Sequence, residues 1–299
     1  MTRSRRLVLA LVVDLILVAG EAVGAGFAHS TGLFATAGHD LADAAGLALA
    51  LVATRLALRP ATAAKSFGYH RATILAGLAN ATVLVLVTIG VAAMSAYRLA
   101  HPTHVHGALV MIVAAAGLVG NGIAALLLRE SSKDLNVRAV ALHFTGDAVA
   151  ALGVVVAGAV ILATGHLYAF DPAVALLISV LIGAQAWRLV RASADVLLES
   201  TPPDLDIVAM AAAISGIDGV TAVHDLHCWS LSSEVRALSA HVVLDGHPTL
   251  EEAQVVGEQV KSSVHKRFHV AHTTLEMECE PCAPDADDAC AVDPVYRQS

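Results

Sequence analysis

The chain has 299 residues, 57% of them hydrophobic and only 15% charged, with a mean hydropathy of +0.69. An ordinary soluble domain is about 25% charged, so the composition argues for a membrane protein and against a single water-soluble globule. The net charge of −8 is unevenly placed: residues 1–199 carry 13 Lys/Arg against 10 Asp/Glu, and residues 200–299 carry 5 against 16. An acidic second part speaks against nucleic acid as a partner and is compatible with binding cations.

A helix needs about 20 mostly apolar residues to cross a bilayer. Six segments qualify: roughly 7–28, 35–58, 73–97, 107–128, 138–163 and 172–193. The start, Met1-Thr-Arg-Ser-Arg-Arg6, imitates a signal peptide. The apolar run that follows extends to about Ala28 and contains Asp14 and Glu21, which fits a retained first helix better. Gly117, Gly120, Gly122, Gly153 and Gly158 are small residues of the kind that let membrane helices pack closely. One set of flanks holds Arg3, Arg5, Arg6, Arg55, Arg59, Lys65, Arg71, Arg129, Lys133, Arg138, Arg188 and Arg191, whereas the opposite loops hold only Arg98. The positive-inside rule therefore places both termini in the cytoplasm. Short loops suit a bacterial inner membrane.

Thr201-Pro202-Pro203 breaks the chain after the sixth span. A helix near 204–215, strands near 220–230 and 234–245, a helix over 249–267 and a strand near 270–278 follow. The order αββαβ predicts a three-stranded sheet covered on one face by two helices. The expected division is a six-helix transmembrane domain over 1–199, a small cytoplasmic α/β domain over 200–280, and a disordered acidic tail over 281–299. The four cysteines, Cys228, Cys279, Cys282 and Cys290, lie outside the apolar segments and imply no disulfide framework.

His39-xxx-Asp43 lies in the second span and His143-xxx-Asp147 in the fifth. An i,i+4 spacing puts two side chains on one helix face, about 5–6 Å apart at Cβ. Imidazole and carboxylate together are good ligands for zinc, and two such pairs complete a tetrahedron. A carboxylate near the bilayer centre costs roughly 2.5–3.5 kcal/mol, so two matching pairs point to a shared intramembrane metal site. Asp40 points about 100° away from His39 on a helix and is not counted as a ligand. Asp14 and Glu21 share a face of the first helix, where they either help protons or water reach the site or pair with Asn80, Asn121 or an arginine.

The loop His101-Pro-Thr-His-Val-His106 reads as a polar turn in preference to a metal-release site. His224 and His227 are three apart on a strand and would face opposite sides, whereas Glu276 and Glu278 share a face. Cys279-Glu-Pro-Cys282 has the spacing of a zinc-binding pair but supplies only two ligands. No HExxH occurs in the apolar part, which argues against a membrane zinc protease and against an enzyme.

Several stretches together resemble the cation diffusion facilitator family. They are Gly38-His-Asp-Leu-Ala-Asp43, Phe67-Gly-Tyr-His-Arg71, His143-Phe-Thr-Gly-Asp147, Asp171-Pro172 and Val223-His-Asp-Leu-His-Cys-Trp-Ser-Leu231. The similarity runs from about 7 to 280. It implies a proton-coupled, homodimeric exporter of divalent metal, with six spans in the lipid bilayer and a metallochaperone-like cytoplasmic domain. His39, Asp43, His143 and Asp147 match the zinc-exporting branch. The resemblance further implies a loop zinc site at His70 and cytosolic zinc held by His224, His241 and Glu278, with His247 a weaker candidate. The loop 129–137 lacks the histidines that some relatives carry there. The alternative is a membrane-anchored metal sensor whose cytoplasmic tail is the main binding site.

Overall fold

The computed structural model describes residues 3–129, 135–232 and 235–280, with side chains described for 15–126, 142–232 and 235–280. The acidic segment 281–299, and Cys282 within it, lie outside the described residues. Six long helices come first: α1 (Arg3–Ala28), α2 (Thr31–Ala57), α3 (Ala72–Ala100), α4 (Gly107–Arg129), α5 (Leu135–Thr164) and α6 (Phe170–Leu197). Then come α7 (Ile207–Ser215), β1 (Val220–Ser230), β2 (Arg236–Leu244), α8 (Leu250–Phe268) and β3 (His272–Glu278). The fold is thus an apolar helical membrane region followed by a small αββαβ domain. The described chain forms two compact units, one of residues up to Ala53 with Ala76–Arg191, the other of Thr54–Leu75 with residues from Ala192 onward.

Among the described residues, four helices are long and apolar enough to cross a membrane: α3, Gly107–Leu126 of α4, Leu142–Thr164 of α5, and α6. The part of α1 whose side chains are described, Leu15–Ala28, is apolar but shorter. In α2, His39, Asp40 and Asp43 interrupt the apolar run. Large apolar side chains such as Phe27, Phe34, Leu86, Ile112 and Leu177 stay exposed, as expected where the surrounding solvent is lipid. Small residues set a close approach between α4 and α5. A Cβ on Gly158 would lie 2.8 Å from Met111 N and 3.0 Å from Gly107 O, so glycine alone lets these backbones meet.

In the second unit β1 pairs antiparallel with β2, and β3 pairs parallel with the other edge of β2 through the α8 crossover. One sheet face packs Leu226, Cys228, Leu238, Ala240, Val242 and Leu244 against Met210 and Ile214 of α7 and Val260 and Val264 of α8. The caps set the boundaries. The Asp206 carboxylate accepts from Ala209 N–H at 3.0 Å, so α7 starts later than the predicted 204. Thr249 and Glu252 form a reciprocal capping box at the start of α8, and His269 ends that helix in the left-handed region at φ 56°.

One strand prediction is overturned. His224 pairs with His241 and His227 with Ser239, so three steps on β1 match two on β2. A β-bulge absorbs the extra residue, with Asp225 at φ 47°. Both histidines therefore lie on the open face of the sheet. Asp is among the non-glycine residues that tolerate this backbone region.

Candidate metal centre

In the helical unit, α2 and α5 bring the two His–Asp pairs together. His39 Nε2 lies 3.6 Å from Asp43 Oδ2 and 3.5 Å from Asp147 Oδ1. His143 Nε2 lies 3.5 Å from Asp43 Oδ2 and 3.5 Å from Asp147 Oδ2. Each carboxylate thus touches both imidazoles, closing a ring of four contacts. Ligand atoms on a tetrahedral zinc with bonds of about 2.0–2.1 Å stand ~3.3–3.4 Å apart, close to these four contacts, while across the ring the His39 and His143 imidazoles stand 6.2 Å apart between centroids. Burial is uneven: the side chain of Asp147 is 9% exposed and that of His143 43%.

Asp40 comes closer than its helical angle predicts. The donor atoms of His39, Asp40 and Asp147 all lie within 4.8 Å of one another. A helical angle separates the directions in which side chains leave the backbone. It does not stop their ends converging on Asp147 of α5. Asp40, His39 and Asp147 share a small cavity of about 10 Å³ with Glu21, Thr36 and Asn121. That volume suits about one water molecule. Glu21 is only 2% exposed, and a Cβ at Gly117 would meet its Oε1 at 2.5 Å. So Glu21 faces α4 and shares its cavity with Asn121, whereas Asn80 packs against Gly46 of α2. The side chain of Asp14 lies outside those described.

The start of α2 is held by α6. Asp171, fully buried, accepts hydrogen bonds from the Ser30 hydroxyl, from Thr31 N–H at 2.6 Å, from the Thr31 hydroxyl at 2.7 Å and from Gly32 N–H at 3.2 Å. The Ser30 hydroxyl in turn accepts from Leu33 N–H at 3.1 Å. A carboxylate at this position meets the orphan donors and the positive end of the helix dipole. It also explains why α2 begins at Thr31, four residues before the predicted span. The Asp171-Pro172 motif signals this cap in the sequence, but its partner does not follow from the sequence.

In the α/β unit, His224, His241 and Glu278 form a second gathered donor set on the open sheet face. His224 Nε2 is 2.9 Å from Glu278 Oε2, His241 Nδ1 is 2.7 Å from Glu278 Oε1, and the two rings are 5.0 Å apart. The bulge adds Asp225, which sequence reasoning missed: its carboxylate lies 2.9 Å from His227 Nε2 and 3.5 Å from His241 Nε2. Glu276 also reaches His241, at 3.5 Å. Cys279 is exposed and free at the end of β3. Burial pushes the thiol of Cys228, on the opposite face, above its ordinary range. His70 is half-buried in the turn before α3, where no set of three donor residues gathers among the described residues. His247 is exposed. In the same unit Arg71 meets Glu199 at 2.6 Å, and the Phe67 ring stands edge-on to His272 at 5.6 Å.

Residues 7–198 match the cation efflux transmembrane domain, and residues 202–280 match the cytoplasmic domain of cation efflux proteins. The chain belongs to the cation efflux family. It is 36% identical over 287 residues to the zinc transporter ZitB of Escherichia coli, covering 94% of this chain and 90% of that protein. It is 34% identical to the metal cation efflux system protein CzcD of Cupriavidus metallidurans, covering 94% and 87%. With the cadmium, cobalt and zinc/H(+)-K(+) antiporter of Bacillus subtilis it shares 30% identity, covering 90% and 88%. The chain is therefore a multi-pass membrane protein of a metal-efflux transporter family, also called cation diffusion facilitators.

Proposed function

We propose that the protein exports divalent metal, zinc foremost, from the cytosol in exchange for protons, through His39, Asp43, His143 and Asp147. The observation that carries this reading is the closed ring of four imidazole–carboxylate contacts at 3.5–3.6 Å between α2 and α5. Two carboxylates and two neutral imidazoles balance the charge of one Zn²⁺, which lowers the cost of holding a dication at membrane depth. The same four groups are Brønsted bases, so metal binding releases protons and protons displace metal. Open to the cytosol, the ring gives up protons and loads metal; open to the other side, it is reprotonated and releases it. Rocking of the helices exchanges the two states.

The charge asymmetry of the loops supports cytoplasmic termini, and the match to the cytoplasmic domain supports a homodimer. His224, His241 and Glu278, joined by Asp225, form the cytosolic zinc site in this reading. Cys279 and Cys282 are auxiliary ligands, and His70 marks a separate loop site.

The test is zinc-driven proton movement in proteoliposomes loaded with a pH dye, wild type beside Asp43→Ala. A wild-type signal that is lost in the variant supports exchange through the ring. A folded wild type that binds zinc but moves no protons refutes it and leaves the membrane-anchored sensor, with its site in the tail.

A further inference from the structure

Five histidines gather at the end of the helical unit where α1 meets α2, α3 meets α4 and α5 meets α6: His29, His101, His104, His106 and His166. They fall into two kinds. His101 Nδ1 lies 3.2 Å from Tyr97 O, with its ring stacked on Tyr97, and His166 Nδ1 lies 2.6 Å from Thr164 O. These two are tied into their own helix ends. The rings of His29, His104 and His106 form a chain instead, with centroids 6.4 Å apart for His29–His106 and 5.0 Å for His104–His106.

The backbone beneath this chain is fixed. His29 sits in the left-handed region at φ 53°, and its carbonyl accepts a hydrogen bond from Arg98. His106 N–H donates to Ala28 O at 3.2 Å. Between His104 and His106, Val105 is 3% exposed and packs into the core with Ala28, Leu33 and Val110. A buried anchor flanked by two exposed imidazoles holds both rings over an open groove of about 300 Å³, whose floor includes Ile161, Leu162 and Tyr168.

We propose that His29, His104 and His106 form a further divalent-metal site, a weak three-imidazole station at the release end of the transport path. The proposal rests on the export reading for its direction, but not for the existence of the site. A ring centroid on a tetrahedral zinc is ~3.2 Å from the metal, so two such rings stand ~5.2 Å apart. His104 and His106 already have this spacing. The His29 ring, 6.4 Å from that of His106, is exposed and joins the pair by side-chain rotation, which costs little at a solvated position. The His224–His241 pair of the tail donor set has the same 5.0 Å spacing, and the His39–His143 pair stands at 6.2 Å.

Three features keep the station weak. Among the described residues no carboxylate lines its groove to neutralise the ion, it lies in high dielectric, and the Arg98 guanidinium is close. Weak binding is what a release position needs. The position is also suited to catching the ion as it leaves: His29 lies two residues before α2, whose first residue, Thr31, precedes His39 by eight residues, ~12 Å along the helix.

The test is equilibrium binding of ⁶⁵Zn²⁺ to the full-length protein in detergent at pH 7.5, counted per chain from nanomolar to millimolar zinc. His104→Gln/His106→Gln is compared with wild type and with His101→Gln, whose ring is already engaged. The expected result is loss of one weak equivalent in the double variant alone, with the tight equivalents kept. An unchanged count in the double variant, or the same loss in His101→Gln, overturns the proposal. Asp43→Ala, run in parallel, separates the two readings: it removes a tight equivalent if the ring binds metal, whatever the loop histidines do.

Discussion

Asp171→Asn isolates the charge of the carboxylate that holds α2. In the protein, Oδ1 accepts from the Ser30 hydroxyl and Gly32 N–H, and Oδ2 accepts from the Thr31 N–H and hydroxyl. Asparagine keeps one oxygen and turns an NH₂ toward the other pair. Hydroxyls rotate away from a donor, but a backbone N–H does not. In either amide orientation one buried N–H, of Thr31 or of Gly32, is left without an acceptor, at about 1–3 kcal/mol. The two surviving bonds change from charge-assisted to neutral, losing about half their strength, roughly 1 kcal/mol each. The total is about 3–5 kcal/mol, or a fall in melting temperature of ~10 °C for a chain of this size. Ser30→Ala removes one donor to Asp171 and also takes the hydroxyl acceptor from the buried Leu33 N–H, so it should cost about 1–3 kcal/mol, less than Asp171→Asn. Thermal unfolding of the full-length protein in detergent, with amide exchange over residues 31–36, measures both effects. An Asp171→Asn protein that melts within ~3 °C of wild type, with unchanged exchange at Thr31–Leu33, would refute the reasoning.

Other outcomes follow from the packing and the caps. Gly158→Ala should cost about 2–3 kcal/mol, because its Cβ meets backbone of α4 at 2.8–3.1 Å, whereas Gly122→Ala, with nothing within 4 Å, should be neutral or stabilising; thermal melts of the two decide. In a Cys282→Ser/Cys290→Ser background, the exposed Cys279 should react with a thiol reagent at once and the buried Cys228 only slowly. The Cys228 thiol is raised from 9.0 by burial, so its contribution to stability is complete below that value and is lost as pH rises through it; alkaline unfolding followed at Trp229 tests this. The hydrogen bonds of Glu252 to Thr249 N–H and hydroxyl lower its carboxyl below 4.5, so the cap is intact above that pH and lost as pH falls below it. Thr249→Ala should speed amide exchange in the first turn of α8 in full-length protein, at a cost of about 1 kcal/mol to that helix.

Much of this molecule was legible in its residues because the relevant physics is local or periodic. Six apolar runs, the break at Pro202-Pro203 and the switch to alternating patterns specify the helices and the αββαβ order. Two i,i+4 His–Asp pairs name four of the residues that meet between α2 and α5, because helical spacing alone puts each pair on one face. What the sequence could not supply were facts that depend on how elements meet. The bulge at Asp225 moved His227 to the face of His224, since a single extra residue reverses strand parity. Asp40 reached His39 and Asp147 because α5 lies where it does, and helical angle carries no information about a neighbouring helix. Asp171 found the start of α2 across 140 residues of chain, and His29 came to lie beside His106 through the fixed helix ends beneath them. Periodicity sets which side of an element a residue occupies; only tertiary packing decides what stands opposite it.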